Sequence, residues 1–440
     1  MRANSSIVVL ALVVFGVARV DALQAQSVPM TGSPLSVLAP AGAAGKGTPA
    51  EKRIAAARNV LSTDPKRVDA WNELALALAR RARETADPSF YKEAWTATER
   101  SLQLEAGNLE ARKLQAWILL GQHDFPRAIE AAEQINRIFP DDVLAYGFLS
   151  DGYVQLGKYQ EAEKATQWML DMRPGNVPGL TRAAHLRELF GDHGGAVELM
   201  DAAYRRTADG EVEDRAWILT QIAHLSLLTC RTDAAEQLLN DALALFPEYH
   251  YALAQLAEVR VQQGRTAEAV ALRERHYAAA PHPENQYELG VALARAGRVA
   301  EARAAWQEFE PAARREMASW DNANIELIYY YADHAGRQAD ALSLARSEAA
   351  RRSDVRTLEA LAWALHKNGQ SREGSVEMAK ALAVGIKDPV SYYHAGVIAQ
   401  AGGATADARR FLEESVSTCK ASNVANAAVT LLGEVTAGTR

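Results

Sequence analysis

Three groups of residues in this chain have types and spacing that could do chemistry. Ser417 and Lys420 form a Ser-x-x-Lys pair, in which a lysine one helical turn from a serine can take its proton and create a nucleophile. The pair has no companion motif and falls on the last segment of a periodic pattern. Residues 42–48 read GAAGKGT, glycines and a lysine of the kind that cradle phosphate. Their spacing is wrong for that, and no strand precedes them to aim backbone amides at an anion. His185, His193 and His224 are potential metal ligands or bases. None belongs to a His-x-x-x-His or Glu-x-x-His set. There is no Gly-x-Ser-x-Gly elbow and no Gly-x-Gly-x-x-Gly after a strand. The expectation is no catalytic residue, no metal site and no cofactor, and so no enzyme.

The elements that would position these residues follow one period. Ala94, Ala128, Ala162, Ala196, Ala235, Ala269, Ala302, Ala341, Gly374 and Ala408 recur at spacings of 34, 34, 34, 39, 34, 33, 39, 33 and 34 residues. Twelve residues before nearly all of them stands another small residue: Ala116, Ser150, Ala184, Ala223, Ala257, Gly290, Ala362 and Gly396. Twelve residues fit the end of one helix, a short turn and the start of the next. Gly121, Gly157, Gly191, Gly264, Gly297, Gly336, Gly369 and Gly402 fall between, where a helix can end in the left-handed conformation. Small residues at the crossing let two helix backbones approach closely. Tyr329 takes the small position of the eighth unit, which predicts a wider or tilted crossing there.

The small–turn–alanine pairs resemble the tetratricopeptide repeat. The clearest copy, residues 143–174, carries Ser150, Tyr153, Gly157, Tyr159, Ala162, Trp168 and Pro174, and Pro140, Pro247 and Pro281 close other second helices. The resemblance covers roughly residues 51–420. It implies an all-α, right-handed superhelical solenoid of about ten helix-turn-helix repeats, with first helices lining the concave face. A lone helix over 51–63 and a last one over 424–435 serve as caps. The two 39-residue spacings need extra turns near 208–213 and 312–320. Residues 83–89 form a long turn in the first unit.

Composition fits this architecture. At 440 residues the chain exceeds one ordinary core, but an array needs none, because each unit packs only on its neighbours. The net charge of −7, from 48 basic and 55 acidic residues, argues against nucleic acid as the main partner. The two cysteines, Cys230 and Cys419, fall in the fifth and tenth units. Stacked in a line those units stand tens of ångströms apart, beyond disulfide reach, which leaves two buried thiols or an intermolecular bridge.

The domain plan has four parts. Residues 1–25, with Arg2, an apolar run over 7–18 and small residues at Ala22 and Ala25, have the order of a cleaved secretory signal. The apolar run is too short to span a bilayer, so no membrane span is expected after cleavage. Residues 26–49, with Pro29, Pro34, Pro40 and Pro49, read as a flexible linker. The repeat array occupies 50–423, and 424–440 form the capping helix and tail. The body is thus expected outside the cytoplasm, periplasmic or secreted.

What remains for function is a surface. One stripe of the first helices runs Trp117, Asp151, His185, His224, Glu258, Val291, Tyr330, Trp363 and Val397. With the rows four before and three after it, it is richest in aromatic and charged residues toward the C-terminus. Tyr287, Glu326, Tyr330, Asp333, Glu359, Trp363, His366, Lys367 and Tyr393 are the candidate partner-binding residues. They suit a groove for a peptide or helix, aromatics anchoring and polar groups setting register. The leading expectation is a non-enzymatic scaffold or adaptor of the cell envelope for a protein or peptide partner. A glycan or small-ligand receptor, or a regulatory subunit of an envelope enzyme, are the alternatives.

Overall fold

Aspartate or asparagine caps open many of the helices. The side chains of Asn108, Asp124, Asp142, Asn176, Asp192, Asp354 and Asp388 each accept a hydrogen bond from a first-turn amide, satisfying donors that have no partner inside the helix. The computed structural model describes residues 47–319 and 322–437. The signal segment, most of the linker and Trp320 lie outside the described residues.

The described residues are helical and contain no strand. Helix α1 (Pro49–Thr63) stands alone, capped by Thr48 and Glu51. Ten pairs follow: α2 (Val68–Thr85) and α3 (Ser89–Leu104), α4 (Leu109–Gly121) and α5 (Phe125–Ile138), α6 (Val143–Gln155) and α7 (Tyr159–Met172), α8 (Val177–Leu189) and α9 (His193–Arg206), α10 (Val212–Leu228) and α11 (Thr232–Leu245). Then come α12 (His250–Gln262) and α13 (Thr266–Ala279), α14 (Pro283–Arg295) and α15 (Val299–Glu316), α16 (Asn324–Asp333) and α17 (Gln338–Ala349), α18 (Val355–Lys367) and α19 (Ser371–Leu382), α20 (Pro389–Ala401) and α21 (Thr405–Thr418). Helix α22 (Ala425–Ala437) closes the array. First helices also pack side by side, α2 on α4, α4 on α6, α16 on α18 and α18 on α20. They form the inner wall of an all-α repeat solenoid.

The long spacings are spent on helix length. Helix α10 has 17 residues and α15 has 18, against 13 for α12 and 14 for α13. Gly374 is explained by room: a Cβ there would lie 2.8 Å from the Ala362 carbonyl oxygen. The left-handed turn residue is Gly157 in the clearest copy (φ 70), but His123 and not Gly121 in the second unit, and Gly403 and not Gly402 in the tenth. Cys230 (φ 58) takes that position in the fifth.

Tyr329 does not hold the crossing position of the eighth unit. In the third unit the amide of Lys158 reaches back five residues to Tyr153, whereas Arg337 reaches back six, to Tyr331. The α16–α17 turn is therefore one residue longer. Tyr331 bonds Glu310 of the preceding helix as Tyr153 bonds Glu133. Counting back, the fully buried Ile328 takes the crossing position, and Tyr329 turns toward His394, 6.1 Å away between ring centroids.

The largest departure concerns the cysteines. Cys230 and Cys419 form a disulfide, with Cα atoms 5.1 Å apart. The expected separation fails because the array coils back on itself. The turn inside unit three meets the loop after unit eight: Ser353 Oγ donates to the Leu156 carbonyl (3.0 Å), and the Val355 amide to Tyr159 Oη (3.1 Å). One repeat on, Gly191 lies against Gly385, so close that a Cβ would sit 2.5 Å from its carbonyl oxygen. One repeat further, Cys230 meets Cys419. Val154, Ala162, Leu186, Leu189, Val355 and Ala381 bury a shared apolar cluster between the coils.

A second contact closes the N-terminal side. Arg53 and Arg80 pair with Glu211 at 2.8 and 2.6 Å, and Arg83 pairs with Glu213 at 2.7 Å and Asp214 at 3.2 Å. Tyr249 Oη donates to Glu213 (2.7 Å), and His250 Nε2 donates to the Arg83 carbonyl (2.9 Å). The extra turn that opens α10 supplies these acids, which gives the first long spacing its structural use.

Candidate functional site

The concave face between α12 and α20 holds a chain of polar pairs, most of them joining one repeat to the next. Arg273 Nη2 lies 2.6 Å from Glu258 and 3.6 Å from Glu288. Arg356 lies 3.2 Å from Glu326. Asp333 accepts from Trp363 Nε1 (3.0 Å) and pairs with Lys367 (3.0 Å). Glu359 takes His394 Nδ1 and Ser391 Oγ, each at 2.7 Å. The Trp363 ring stacks on His394, centroids 4.3 Å apart.

Positions follow from helical spacing. Glu326, Tyr329 and Asp333 share one face of α16, and Arg356, Glu359, Trp363 and Lys367 share one face of α18. Arg356 keeps 75 % of its side chain open to water, yet desolvation by surrounding protein is the largest influence on it. Such a group lines a water-filled interior. For Glu359, burial is the largest influence and would raise its pKa; the bonds from His394 and Ser391 and the charge of Arg356 outweigh it and hold the carboxyl below its usual range. Tyr287 is held protonated well above the usual phenol value by burial first, then by Glu288, Asp333 and Glu326.

Eight of the nine candidate residues belong to this wall. Tyr287, Glu326, Glu359 and Trp363 are buried within it. His366, Lys367 and Tyr393 are half-buried and Asp333 is exposed. His366 Nδ1 is 3.1 Å from Ser371 Oγ, and Asp333 and Lys367 are the charges that act on Tyr393. Tyr330 stands apart: its ring meets Phe309 edge-on at 5.7 Å and Trp306 at 6.3 Å, both on α15, because the longer α16–α17 turn gives its place to Tyr329.

The residues missed were Glu288, Tyr329, Arg356, Ser391 and His394. Arg356 and His394 lie seven and three residues before the traced stripe, rows that share its face, so helical spacing could have found them. The three histidines do converge. His224 Nε2 and His185 Nδ1 lie 2.9 and 3.6 Å from Glu188, and His193 feels both Glu188 and His224. Glu188 gathers the two rings, His224 as a hydrogen-bond partner. Among the described residues no group of three or more His, Cys, Asp or Glu is placed to hold a metal. Ser391 donates its hydroxyl to Glu359, and so is not set up as a nucleophile with His394. Ser417 is exposed and bonds the Glu414 carbonyl. No described helix is long and apolar enough to cross a membrane.

Residues 113–177 match the family model of the tetratricopeptide repeat. No curated protein matches the chain. Among solved structures the chain is similar to PilW, a widely conserved type IV pilus biogenesis factor (16 % identity, TM-score 0.39, covering 46 % of this chain and 94 % of that one). It is also similar to a human IFIT1 dimer with PPP-AAAA (12 %, 0.48, 83 % and 86 %) and to a thermophilic TPR protein of Thermus thermophilus (20 %, 0.35, 47 % and 98 %). The matched segment contains the clearest repeat, and the same helix pair recurs in phase on both sides of it: residues 113–177 are a tetratricopeptide-repeat segment within an all-α array of like helix pairs.

Proposed function

We propose that this protein is a non-enzymatic scaffold, exported beyond the cytoplasmic membrane, that holds a protein or peptide partner against its concave face. The carrying observation is the inner wall from α12 to α20. There, cross-repeat ion pairs and rings occupy positions that packing alone would fill with leucine and alanine, and Arg356 opens into the interior. A solenoid wall of this kind offers an extended segment several pairing groups in fixed register. The Cys230–Cys419 disulfide supports the export reading, since such bonds persist in oxidising compartments.

Affinity capture with residues 26–440 followed by mass spectrometry tests the scaffold reading. One defined partner should be retained, and lost from a Lys367→Ala, Tyr393→Ala variant that keeps its helical circular dichroism. Identical capture by both proteins would refute a concave site. Fusion of residues 1–25 to a reporter active only outside the cytoplasm tests export, and an inactive fusion counts against it.

A further inference from the structure

Charge on the concave wall is unbalanced. Facing one another from α12 to α20 are the carboxylates Glu258, Glu284, Glu288, Glu326, Asp333, Glu359 and Asp388 and the cations Arg273, Arg295, Arg356 and Lys367, with His366 and His394 beside them. Three of the four cations hold a carboxylate at short range, and Arg295 acts on Glu288 and Tyr287 from farther off. Arg273 is at 2.6 Å from Glu258, Arg356 at 3.2 Å from Glu326, and Lys367 at 3.0 Å from Asp333. Glu288 is left with the far side of Arg273, 3.6 Å away, while 40 % of its side chain is open to the interior.

A second, independent feature marks the same spot. Tyr287 is 7 % exposed, and its hydroxyl has no hydrogen-bond partner among the described residues. Burial acts on it first, then the charges of Glu288, Asp333 and Glu326, with Arg295 opposing them, so carboxylates outnumber cations around the hydroxyl. Tyr329 adds a second ring, acted on by Glu359, Arg356, Tyr287 and Asp333. A solvent-open carboxylate in a wall with more carboxylates than cations, beside a phenol with no hydrogen-bond partner among the described residues and a second aromatic ring, is the complement of an organic cation. The Glu288 pKa is itself raised: burial first, with Glu258 and Glu326, outweighs Arg273 and Arg295, and an arriving positive charge would offset that.

We propose that the partner segment received by the concave face is basic, and that a lysine or arginine side chain of it seats at Glu288 beside Tyr287 and Tyr329. This rests on the peptide-holding reading above and adds the chemistry of the occupant. An acidic segment would meet the excess carboxylates and be repelled.

The test is selection of a random-sequence peptide library, displayed on phage, against the full mature chain. Synthetic copies of selected peptides are then titrated by tryptophan fluorescence. Selected sequences should carry Lys or Arg at one fixed position. Glu288→Gln should weaken a selected peptide roughly tenfold, and raised salt should weaken it on the wild type. Glu288→Gln removes a carboxylate that burial already disfavours, so the variant should fold; unchanged circular dichroism and melting confirm it. Selected peptides without basic residues, or ones bound equally by Glu288→Gln, overturn the inference and leave the peptide-holding reading standing. A library from which nothing is selected refutes that reading itself.

Discussion

The coil closes on itself twice, by two different chemistries. On the N-terminal side Arg53, Arg80 and Arg83 meet Glu211, Glu213 and Asp214, with Tyr249 and His250 buried beneath. On the C-terminal side an apolar cluster, a glycine-on-glycine approach and a disulfide do the same work. The first contact is polar and should respond to proton concentration. The second is apolar and covalent and should respond to reduction. An array in which each repeat touches only its neighbours can open anywhere, and here both contacts join repeats far apart in sequence. Breaking one while watching the other shows whether the coil is one cooperative body or two independently fastened halves.

The largest effect belongs to the disulfide. Cross-linking residues 189 apart is worth about 5 kcal/mol in the chain-entropy account. Cys419→Ser removes it without touching the strained turn. Hydrogen exchange should rise at residues 385–388 and across α20 to α22, with residues 208–214 unchanged. Equal loss of protection at both contacts would break the comparison and make the coil one unit. Cys230→Gly should cost about 1 kcal/mol less than Cys230→Ser, because Cys230 holds φ 58, which glycine adopts freely.

Next is the buried pair at the other contact. The Glu213 side chain is 8 % exposed and is shared by Arg83 and Tyr249. Glu213→Gln leaves Arg83 with Asp214 alone and should cost about 3–4 kcal/mol, read as a lower urea midpoint for the N-terminal repeats. A midpoint within error of wild type would show that this contact adds nothing to stability.

The polar contact should also fail in acid. Burial is the largest influence on His250 and lowers its pKa to about 4; burial, then Arg273 and His250, lower His276 to about 3. The unfolded chain takes up these protons below about pH 6.5 and the folded chain does not. Stability is therefore complete above that pH and declines as pH falls, for His250 by on the order of 3 kcal/mol at pH 4. His250→Gln keeps a donor for the Arg83 carbonyl and should flatten that slope. At the middle rung of the other contact the sign is opposite. Burial lowers the His224 pKa, but Glu188 and Asp388 outweigh it and the pKa is raised. Its contribution is present below about pH 6.5 and is lost as pH rises further. A melting temperature that does not change between pH 7 and pH 4.5 in wild type would remove the acid half of this contrast.

The period of small residues was enough to read the helices, because helix crossings and turns are local and each obeys steric rules of its own. The coil closure was not legible. Cys230 and Cys419 meet only because small rotations accumulate over five repeats, and no window of residues contains that sum. The candidate wall was legible in outline, since rows on a helix face follow from spacing. Tyr330 was misplaced because one extra residue in the α16–α17 turn rotates the end of α16, and Trp363 was read as an accessible anchor although it is 8 % exposed. Trp363→Ala would therefore open a cavity in the wall and cannot by itself report on binding.

The smallest effect tests how apolar the C-terminal contact is. Tyr159 Oη accepts the Val355 amide at 3.1 Å, and burial, then Asp354, raise its pKa to about 12, so it stays a neutral phenol at ordinary pH. Tyr159→Phe keeps the ring in the apolar cluster and leaves one amide without an acceptor, which should cost about 1–2 kcal/mol. If the cluster and the disulfide carry the contact, hydrogen exchange in the variant should rise at Val355 while Ala381 and Cys419 stay protected. A loss of about 3 kcal/mol or more would mean that polar groups fasten this side as well, and that the two contacts differ in redox response alone.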